Sequence, residues 1–314
     1  MAKSFLKRRR NDLLFFLIKA LLFSMKLLPR RVGLLLFGTV GRLFFLFPTI
    51  EKERTYANLR RIFSGTWSER RIKKTAKDIY YQLGKNLYDS IYLTICSDKQ
   101  FFDIVKLNDL SRLKETYNEG RGVIGVAGHV GCFEMTIHVI ARSDMNCVTI
   151  GQHLYDKRVE DLIVSFRKRN NIAYLSRDGS GRGIIKLLKQ GYFFGSLIDQ
   201  DTKIDGVFAK FLGIPAFTPS APIRMAMKFN MPIFVAVTAR QKDNTHLFDI
   251  KGPYELENTG DLERDLVFNV QKVNDILSDG ILKNPEQWVW MHRRWKTRPT
   301  DEGFTDVPNI ENYL

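Results

Sequence analysis

The chain has 314 residues, 44% of them hydrophobic and 12% aromatic, which excludes a disordered protein and allows one large α/β domain or two small ones. Its net charge of +15 predicts anionic partners, such as anionic lipid, a phosphorylated ligand, nucleic acid or an acidic protein. The three cysteines are odd in number and lack metal-ligand spacing, which indicates a reducing, cytosolic setting.

The basic residues are concentrated near the N-terminus. Residues 1–61 hold 14 Lys or Arg and three acidic residues, which accounts for +11 of the net charge. They flank two apolar stretches, 13–28 and 32–48, and this pattern favours a membrane surface over nucleic acid. Because a spanning helix takes about 20 apolar residues, the first stretch either spans with snorkelling lysines or lies in the interface. We expect residues 1–50 to anchor a domain of residues 51–314 to the cytoplasmic leaflet, with a buried helical hairpin as the alternative.

The rest of the chain alternates helical and strand patterns. Helices are predicted at 52–63 and 69–95, where Ile72, Ile79 and Leu83 keep helical spacing. The later elements are, in order, a strand at 123–127, a helix ending near 141, a strand at 146–151, a helix at 155–168, a strand at 172–175, a helix at 183–189, a strand at 192–198, a helix at 220–229, strands at 233–239 and 246–251, and a helix at 261–282. Residues 206–218 are expected to form an aromatic loop. The alternation predicts an α/β fold with a mixed, centrally parallel sheet flanked by helices.

His129 lies at the turn between the predicted strand 123–127 and the helix that follows, and Glu134 comes five residues later. In that position a carboxylate in the first helical turn can reach back to the imidazole. A carboxylate on Nδ1 fixes the tautomer and leaves Nε2 as a base, and the helix N-terminus can stabilise an oxyanion. The same spacing is also common in purely structural turns, so it does not identify a catalytic pair by itself.

Cys132 and His138 offer weaker interpretations of the same stretch. A Cys–His nucleophile is conceivable, but a cysteine in this position more often packs a helix. His138 follows on an apolar helix and is expected to be structural. The sequence has no H-E-x-x-H motif and no paired Cys/His set, so no metal site is expected.

Arg177, Asp199 and Asp201 follow the carboxyl ends of two other predicted strands. His129 emerges at the same edge of the sheet, so these side chains can converge on one crevice. An arginine there suits a phosphate, and an Arg–Asp ion pair between loops is the alternative.

The tail at 284–299 interleaves tryptophans with basic residues. Such a segment can stack nucleotides or lie at a lipid headgroup interface. Alternatively, Trp288 and Trp290 cap the core.

Together these segments resemble the late acyltransferases of lipid A biosynthesis, the lauroyl/myristoyl transferase family, over nearly the whole chain. The segments that carry the resemblance are the basic and apolar N-terminus, Asn58-Leu59, Gly128-His129 with Glu134, Arg177 before a glycine-rich helix start, Asp199-Gln200-Asp201, the stretch 211–218 and the tail 285–299.

The resemblance implies a glycerolphosphate-acyltransferase-like fold and an enzyme of the bacterial inner membrane, facing the cytoplasm. It would transfer an acyl chain from acyl carrier protein, or from acyl-CoA, to a hydroxyl of a lipid A precursor, without a cofactor. In such an enzyme His129 is the base and Glu134 its partner, and Arg177 binds the acceptor phosphate or orders the site. Asp199 and Asp201 support the pocket. Attack is direct, without an acyl-enzyme, so Cys132 is dispensable.

The charge pattern agrees with partners of this kind. Acyl carrier proteins and lipid A precursors are anionic, and a basic groove attracts both, whereas no nucleic-acid partner is expected. An apolar slot for the acyl chain is expected between the N-terminal helices and the 206–218 segment. The alternatives are an acyltransferase of the same fold acting on another glycolipid or phospholipid, and a basic membrane-binding protein without catalysis.

Overall fold

The computed structural model describes residues 2–151, 156–169, 172–176, 181–202 and 204–314. Its α-helices are α1 Ala2–Leu27, α2 Arg30–Phe44, α3 Ile50–Phe63, α4 Glu69–Tyr92, α5 Asp98–Ile104, α6 Ser111–Asn118, α7 Glu134–Ala141, α8 Lys157–Arg169, α9 Gly181–Leu188, α10 Ala221–Phe229 and α11 Leu262–Lys283. Its strands are β1 Val105–Leu107, β2 Val123–Ala127, β3 Cys147–Gly151, β4 Ile172–Ser176, β5 Phe193–Leu197, β6 Gly206–Phe211, β7 Ile214–Pro219, β8 Ile233–Arg240 and β9 His246–Lys251.

Seven strands form one sheet in the order β1-β9-β8-β2-β5-β3-β4. From β8 to β4 all neighbours run in parallel, whereas β9 is antiparallel to β8 and carries β1 beside it. The predicted α/β class with a parallel centre is therefore confirmed. All five residues of β2 are buried, because helices cover both faces of a parallel sheet, and this explains its continuous apolar sequence.

The prediction for residues 206–218 is wrong, because this segment forms a β-hairpin. β6 and β7 pair antiparallel as a separate two-stranded sheet, with Phe208 opposite Phe217. Leu212 and Gly213 connect them at φ 51° and 81°, the positive values that two-residue hairpin turns need. This turn lacks the Asn-Gly or Asp-Gly pair that marks a two-residue hairpin turn in a sequence. The aromatic residues were therefore the more prominent feature of the segment. The segment 98–118, which forms α5, β1 and α6, was not predicted either.

Glycines in the second apolar stretch allow α2 and α4 to cross closely. A Cβ on Gly41 would lie 2.2 Å from the Tyr80 carbonyl oxygen, and one on Gly84 would lie 2.1 Å from the Phe37 carbonyl oxygen. The backbones therefore touch at the crossing, and a larger residue at either position would separate the helices. Residues 30–44 thus form one continuous helix despite their glycines.

The opposite face of α2 is apolar and exposed. Its exposed side chains include Val32, Leu35, Leu36, Val40 and Leu43. In the part of the chain that the structure describes, no helix is both long and apolar enough to cross a membrane. The anchoring role of residues 1–50, and the domain boundary after residue 50, remain predictions.

The aromatic tail belongs to the core. Trp288, Trp290 and Trp295 are buried, and the ring centroids of Trp288 and Trp290 lie 4.8 Å apart. The carboxamide of Asn58 on α3 donates to the Trp290 carbonyl oxygen at 2.8 Å. Of the interpretations of the tail, core packing is the one that describes these tryptophans.

Candidate active site

The turn between β2 and α7, residues 128–133, places His129 against Asp199, which follows β5. Nδ1 of His129 and Oδ1 of Asp199 are 2.7 Å apart, and the backbone N–H of His129 donates to Oδ2 at 2.7 Å. The pairing of Ala127 with Leu197 in the parallel sheet sets this proximity, because both strands end at the same edge. A Cβ on Gly128 would lie 3.0 Å from Oδ2, so the glycine permits the approach.

The two groups shift each other's pKa in opposite directions. Burial raises the pKa of Asp199, but the charge of His129 and the hydrogen bonds from His129 and Trp288 outweigh burial and lower it to about 2. Burial lowers the pKa of His129, but the charge and hydrogen bond of Asp199 outweigh it, with a smaller contribution from Glu134, and the pKa lies above its usual value. Since ionised Asp199 can only accept, Nδ1 carries the proton and the neutral ring keeps Nε2 as a base.

Asp199 therefore holds the Nδ1 position that the sequence assigned to Glu134. Glu134 opens α7 and lines the same cavity as His129, where its charge favours the protonated ring. Five residues of separation place Glu134 near His129, but the edge of the adjacent strand brings Asp199 closer. The catalytic role expected of Glu134 remains a prediction.

The other predicted residues lie around this pair. Both oxygens of Asp201 accept from Thr297, from its N–H at 2.8 Å and from its hydroxyl at 3.0 Å, so Asp201 ties the tail to the end of β5. Arg177 lies outside the described residues, directly after β4 in the sequence. Its convergence with His129 remains a prediction.

Cys132 is fully buried, and burial followed by the charge of Asp89 raises the pKa of its thiol to about 12. A thiol in this state is a poor nucleophile, since the thiolate is the reactive form. His138 is buried on α7. Both residues fit the structural interpretation that the sequence favoured.

Trp288 is a member of the site that the sequence did not assign to it. Its indole Nε1–H donates to Oδ2 of Asp199 at 2.8 Å. Asp199 thus accepts from the His129 ring, the His129 backbone and Trp288 while having no exposed surface. The aromatic and basic pattern of the tail marked this region but not this contact.

His129 opens onto a largely apolar cavity of about 530 Å³. Strands β2, β3 and β5 and helices α7, α9 and α10 line it, with side chains that include Ile137, Ile150, Ile184, Leu197 and Met225. Its place differs from the expected slot beside the N-terminal helices. A volume of this size is typical of small-molecule sites, and the lining suits an apolar chain.

No group of three or more His, Cys, Asp or Glu side chains that could hold a metal ion occurs among the described residues. Beside the apolar cavity, His129 presents an imidazole that Asp199 orients.

Comparison with known proteins relates this chain to an established family. The model of the family described as bacterial lipid A biosynthesis acyltransferase matches residues 2–297. The chain belongs to the bacterial lipid A biosynthesis acyltransferase family. The suspected resemblance is thereby confirmed, and the protein is an enzyme that transfers acyl groups.

Two curated relatives of the chain agree with this family membership. The lipid A biosynthesis palmitoleoyltransferase of Escherichia coli K12 is 26% identical over 261 residues, which cover 81% of this chain and 82% of the relative. The lipid A biosynthesis acyltransferase of Shigella flexneri matches with the same identity and coverage. Both matches extend far beyond the segment around His129, so the family relationship does not depend on the His129–Asp199 pair.

Proposed function

We propose that this enzyme transfers a fatty acyl chain from a thioester, carried by acyl carrier protein or coenzyme A, to a hydroxyl of a lipid A precursor. The observation that carries the proposal is the His129–Asp199 pair, whose histidine lines an apolar cavity. An oriented base and a slot for a hydrocarbon chain are the two elements that transfer to an alcohol requires.

The proposed reaction is a direct attack. Nε2 of His129 removes the proton of the acceptor hydroxyl while its oxygen attacks the thioester carbonyl carbon. The C–O bond forms, the tetrahedral oxyanion collapses, and the C–S bond breaks. The imidazolium returns the proton to the departing thiolate, so an ester and a thiol are formed and His129 is restored. The N-terminal end of α7, directly after the turn, supplies positive potential for the oxyanion.

The cavity would bind the acyl chain of the donor. Each buried CH₂ group contributes about 0.8 kcal/mol of transfer free energy, so filling the cavity favours binding of the donor and places its carbonyl at His129.

We also propose roles for the remaining predicted residues, in binding the polar groups of the substrates or in supporting the site. Glu134 at the cavity wall would orient the acceptor hydroxyl and favour the imidazolium, an effect supported by its contribution to the raised pKa of His129. Arg177 would bind an acceptor phosphate, since a guanidinium forms bidentate hydrogen bonds with phosphate oxygens. Asp201 would act indirectly, by holding the tail that carries Trp288.

We place the enzyme on the cytoplasmic face of the bacterial inner membrane. The exposed apolar face of α2 and the excess of basic residues in 1–61 support this location, since both favour an anionic lipid surface. The same net positive charge would attract an acidic carrier protein and an anionic glycolipid.

The test uses purified full-length protein, acyl carrier protein and coenzyme A thioesters, and a lipid A precursor. Mass spectrometry should show one added acyl chain on the precursor, and His129→Ala should abolish the gain. If the precursor is unchanged but another glycolipid or phospholipid in a lipid extract gains an acyl chain, that lipid would replace the lipid A precursor as the proposed acceptor. Absence of any acylated lipid would contradict the proposed function.

A further inference from the structure

A buried charged network adjoins the His129 turn, and its residues do not line the cavity described above. At its centre is Asp89 of α4, which has no exposed surface. Arg30 of α2 donates to both of its oxygens at 2.8 Å, while Arg240 of β8 and His246 of β9 donate to Oδ2 at 2.6 and 2.8 Å. Four elements of the fold thus meet at one carboxylate.

Asn86 connects this network to the turn. Arg240 donates to Oδ1 of Asn86 at 2.6 Å, and Nδ2 of Asn86 donates to the Gly131 carbonyl oxygen at 2.9 Å. Gly131 has φ 59°, and a Cβ there would lie 2.6 Å from the Thr238 carbonyl oxygen. The turn therefore lies directly against β8, and Gly131 has a backbone conformation that residues with a side chain rarely adopt. The groups that form hydrogen bonds with the turn hold it in this position.

Neighbouring backbone groups of the turn are held from two other sides. The Thr238 hydroxyl donates to the Val130 carbonyl oxygen, and the Gly131 N–H donates to the Gln287 carbonyl oxygen, both at 2.8 Å. The Gln287 carboxamide in turn accepts from the N–H of Arg240 and donates to its carbonyl oxygen. Arg240 thus connects to the turn both through Asn86 and through the tail.

The hydrogen bonds on its two sides explain why an asparagine suits position 86. Two guanidinium groups face one carboxylate, and burial lowers the pKa of His246 to about 4, so this imidazole is neutral at pH 7. Asn86 Oδ1 accepts from Nη2 of Arg240, while its amide nitrogen donates to the Gly131 carbonyl oxygen. An aspartate of the same shape would satisfy Arg240 but not Gly131.

We propose that Asn86 is a positioning residue for the acyl-transfer reaction, which holds the His129 turn in register through the Gly131 carbonyl group. The inference rests on the proposed function of His129. Buried ion pairs contribute little net stability, whereas they can fix a unique arrangement of the groups around them. A base displaced by a fraction of an ångström loses much of its rate advantage, so rigidity of this turn matters for turnover.

The experiment compares Asn86→Asp with Asn269→Asp in the full-length enzyme at pH 8. Like Asn86, Asn269 of α11 donates its amide to a backbone carbonyl oxygen, that of Glu257, so the same donor is removed in both variants; its Oδ1 accepts from the Glu257 N–H rather than from an arginine. Asn86→Asp should lower kcat by about tenfold or more, leave KM for the thioester unchanged and alter the NMR titration of the His129 ring. Asn269→Asp should lower the thermal midpoint of unfolding about as much as Asn86→Asp does. It should leave kcat, KM and the His129 titration unchanged.

Equal kcat values for the two variants well below their thermal midpoints would overturn the proposal, as would an unchanged His129 titration in Asn86→Asp. If Asn86→Asp fails to fold, Asn86→Ala and Asn269→Ala provide the same comparison. If the wild-type protein transfers no acyl chain, the proposed function fails. The His129 ring signals then decide the role of Asn86 alone, because they require folded protein but no turnover.

Discussion

Trp288 and Asp199, 89 residues apart in the sequence, share a hydrogen bond of 2.8 Å in which the indole N–H donates to Oδ2. The C-terminal tail therefore contacts the carboxylate that orients His129. With this oxygen held by Trp288 and the His129 backbone, Oδ1 is left to face the imidazole Nδ1. The tail thus stabilises the geometry of the base without reaching the cavity.

Replacement of Asp199 by asparagine should separate orientation of the base from its presence. A carboxamide whose NH₂ group faces Nδ1 stabilises the wrong tautomer, with the proton on Nε2, so kcat should fall by about 10²–10⁴-fold. Steady-state kinetics on the folded variant would measure this. Asp201→Asn is the matched control, since both oxygens of Asp201 accept from Thr297 rather than from the base. Similar losses in the two variants would contradict the assignment of Asp199.

Gly195 of β5 should influence which acyl chain the enzyme accepts. It lines the cavity, and a Cβ at this position would lie 3.1 Å from Cδ1 of Ile137. Gly195→Val should therefore fill part of the slot and shift the preferred donor towards shorter chains. Product masses with a graded series of thioesters would show the shift. Gly65→Val, at a position with nothing within 4 Å of the added Cβ, should keep the original preference. An unchanged preference in Gly195→Val would mean that the acyl chain lies elsewhere.

The exposed face of α2 should determine lipid binding. Leu36 and Val40 lie one helical turn apart on α2, and both are exposed. Replacing both by serine removes apolar contact area and should weaken binding to anionic phospholipid vesicles by about tenfold or more. Vesicle sedimentation would measure the loss.

The control for that experiment is a second pair of exposed leucines, Leu262 and Leu282 on α11. Their replacement by serine should leave vesicle binding unchanged. Equal binding by the two double variants would rule out α2 as the lipid-facing surface.

His246 should make the fold sensitive to mild acid. In the folded protein burial lowers its pKa to about 4, whereas in the unfolded chain it titrates near its ordinary value of 6.5. Between these pH values the unfolded state binds up to one more proton than the folded state. The contribution of His246 to the free energy of unfolding is therefore complete above pH 6.5 and falls on acidification by at most about 1.4 kcal/mol per pH unit.

Urea unfolding at pH 7.5 and 5 would measure this effect, with His246→Gln as the comparison. Glutamine can still donate to Asp89 but does not ionise, so its variant should lose less stability between the two pH values. His129, whose raised pKa acts with the opposite sign, contributes equally to both proteins and cancels in the difference. The same loss in both proteins would show that His246 is not the group responsible.

Cys132 should be dispensable for turnover. The thiol is fully buried, and its pKa of about 12 leaves almost no thiolate at neutral pH. Cys132→Ser should therefore retain acyl transfer, and no acyl group should be found on the wild-type protein by intact-mass analysis during turnover. Loss of activity in a folded Cys132→Ser variant, together with a trapped acyl adduct, would contradict the direct attack.

The sequence by itself predicted much of the local structure of this protein. The strand at 123–127 matches β2, and most predicted helices agree with observed ones to within a few residues, because apolar periodicity is a property of adjacent residues. The same reasoning placed His129 at the strand–helix turn and Asp199 at a strand end. It failed at 206–218, where aromatic residues concealed a hairpin whose stability comes from packing on the rest of the molecule.

Only the tertiary structure decided which carboxylate orients His129. Glu134 is near in sequence, but the hydrogen bond belongs to Asp199, which the parallel register of β2 and β5 brings to the turn. The contacts of Trp288 and Asn86 arise in the same way, from elements distant in sequence that meet at the edge of the sheet. Local patterns specify where a strand ends, whereas its neighbours depend on the pairing and packing of the whole chain.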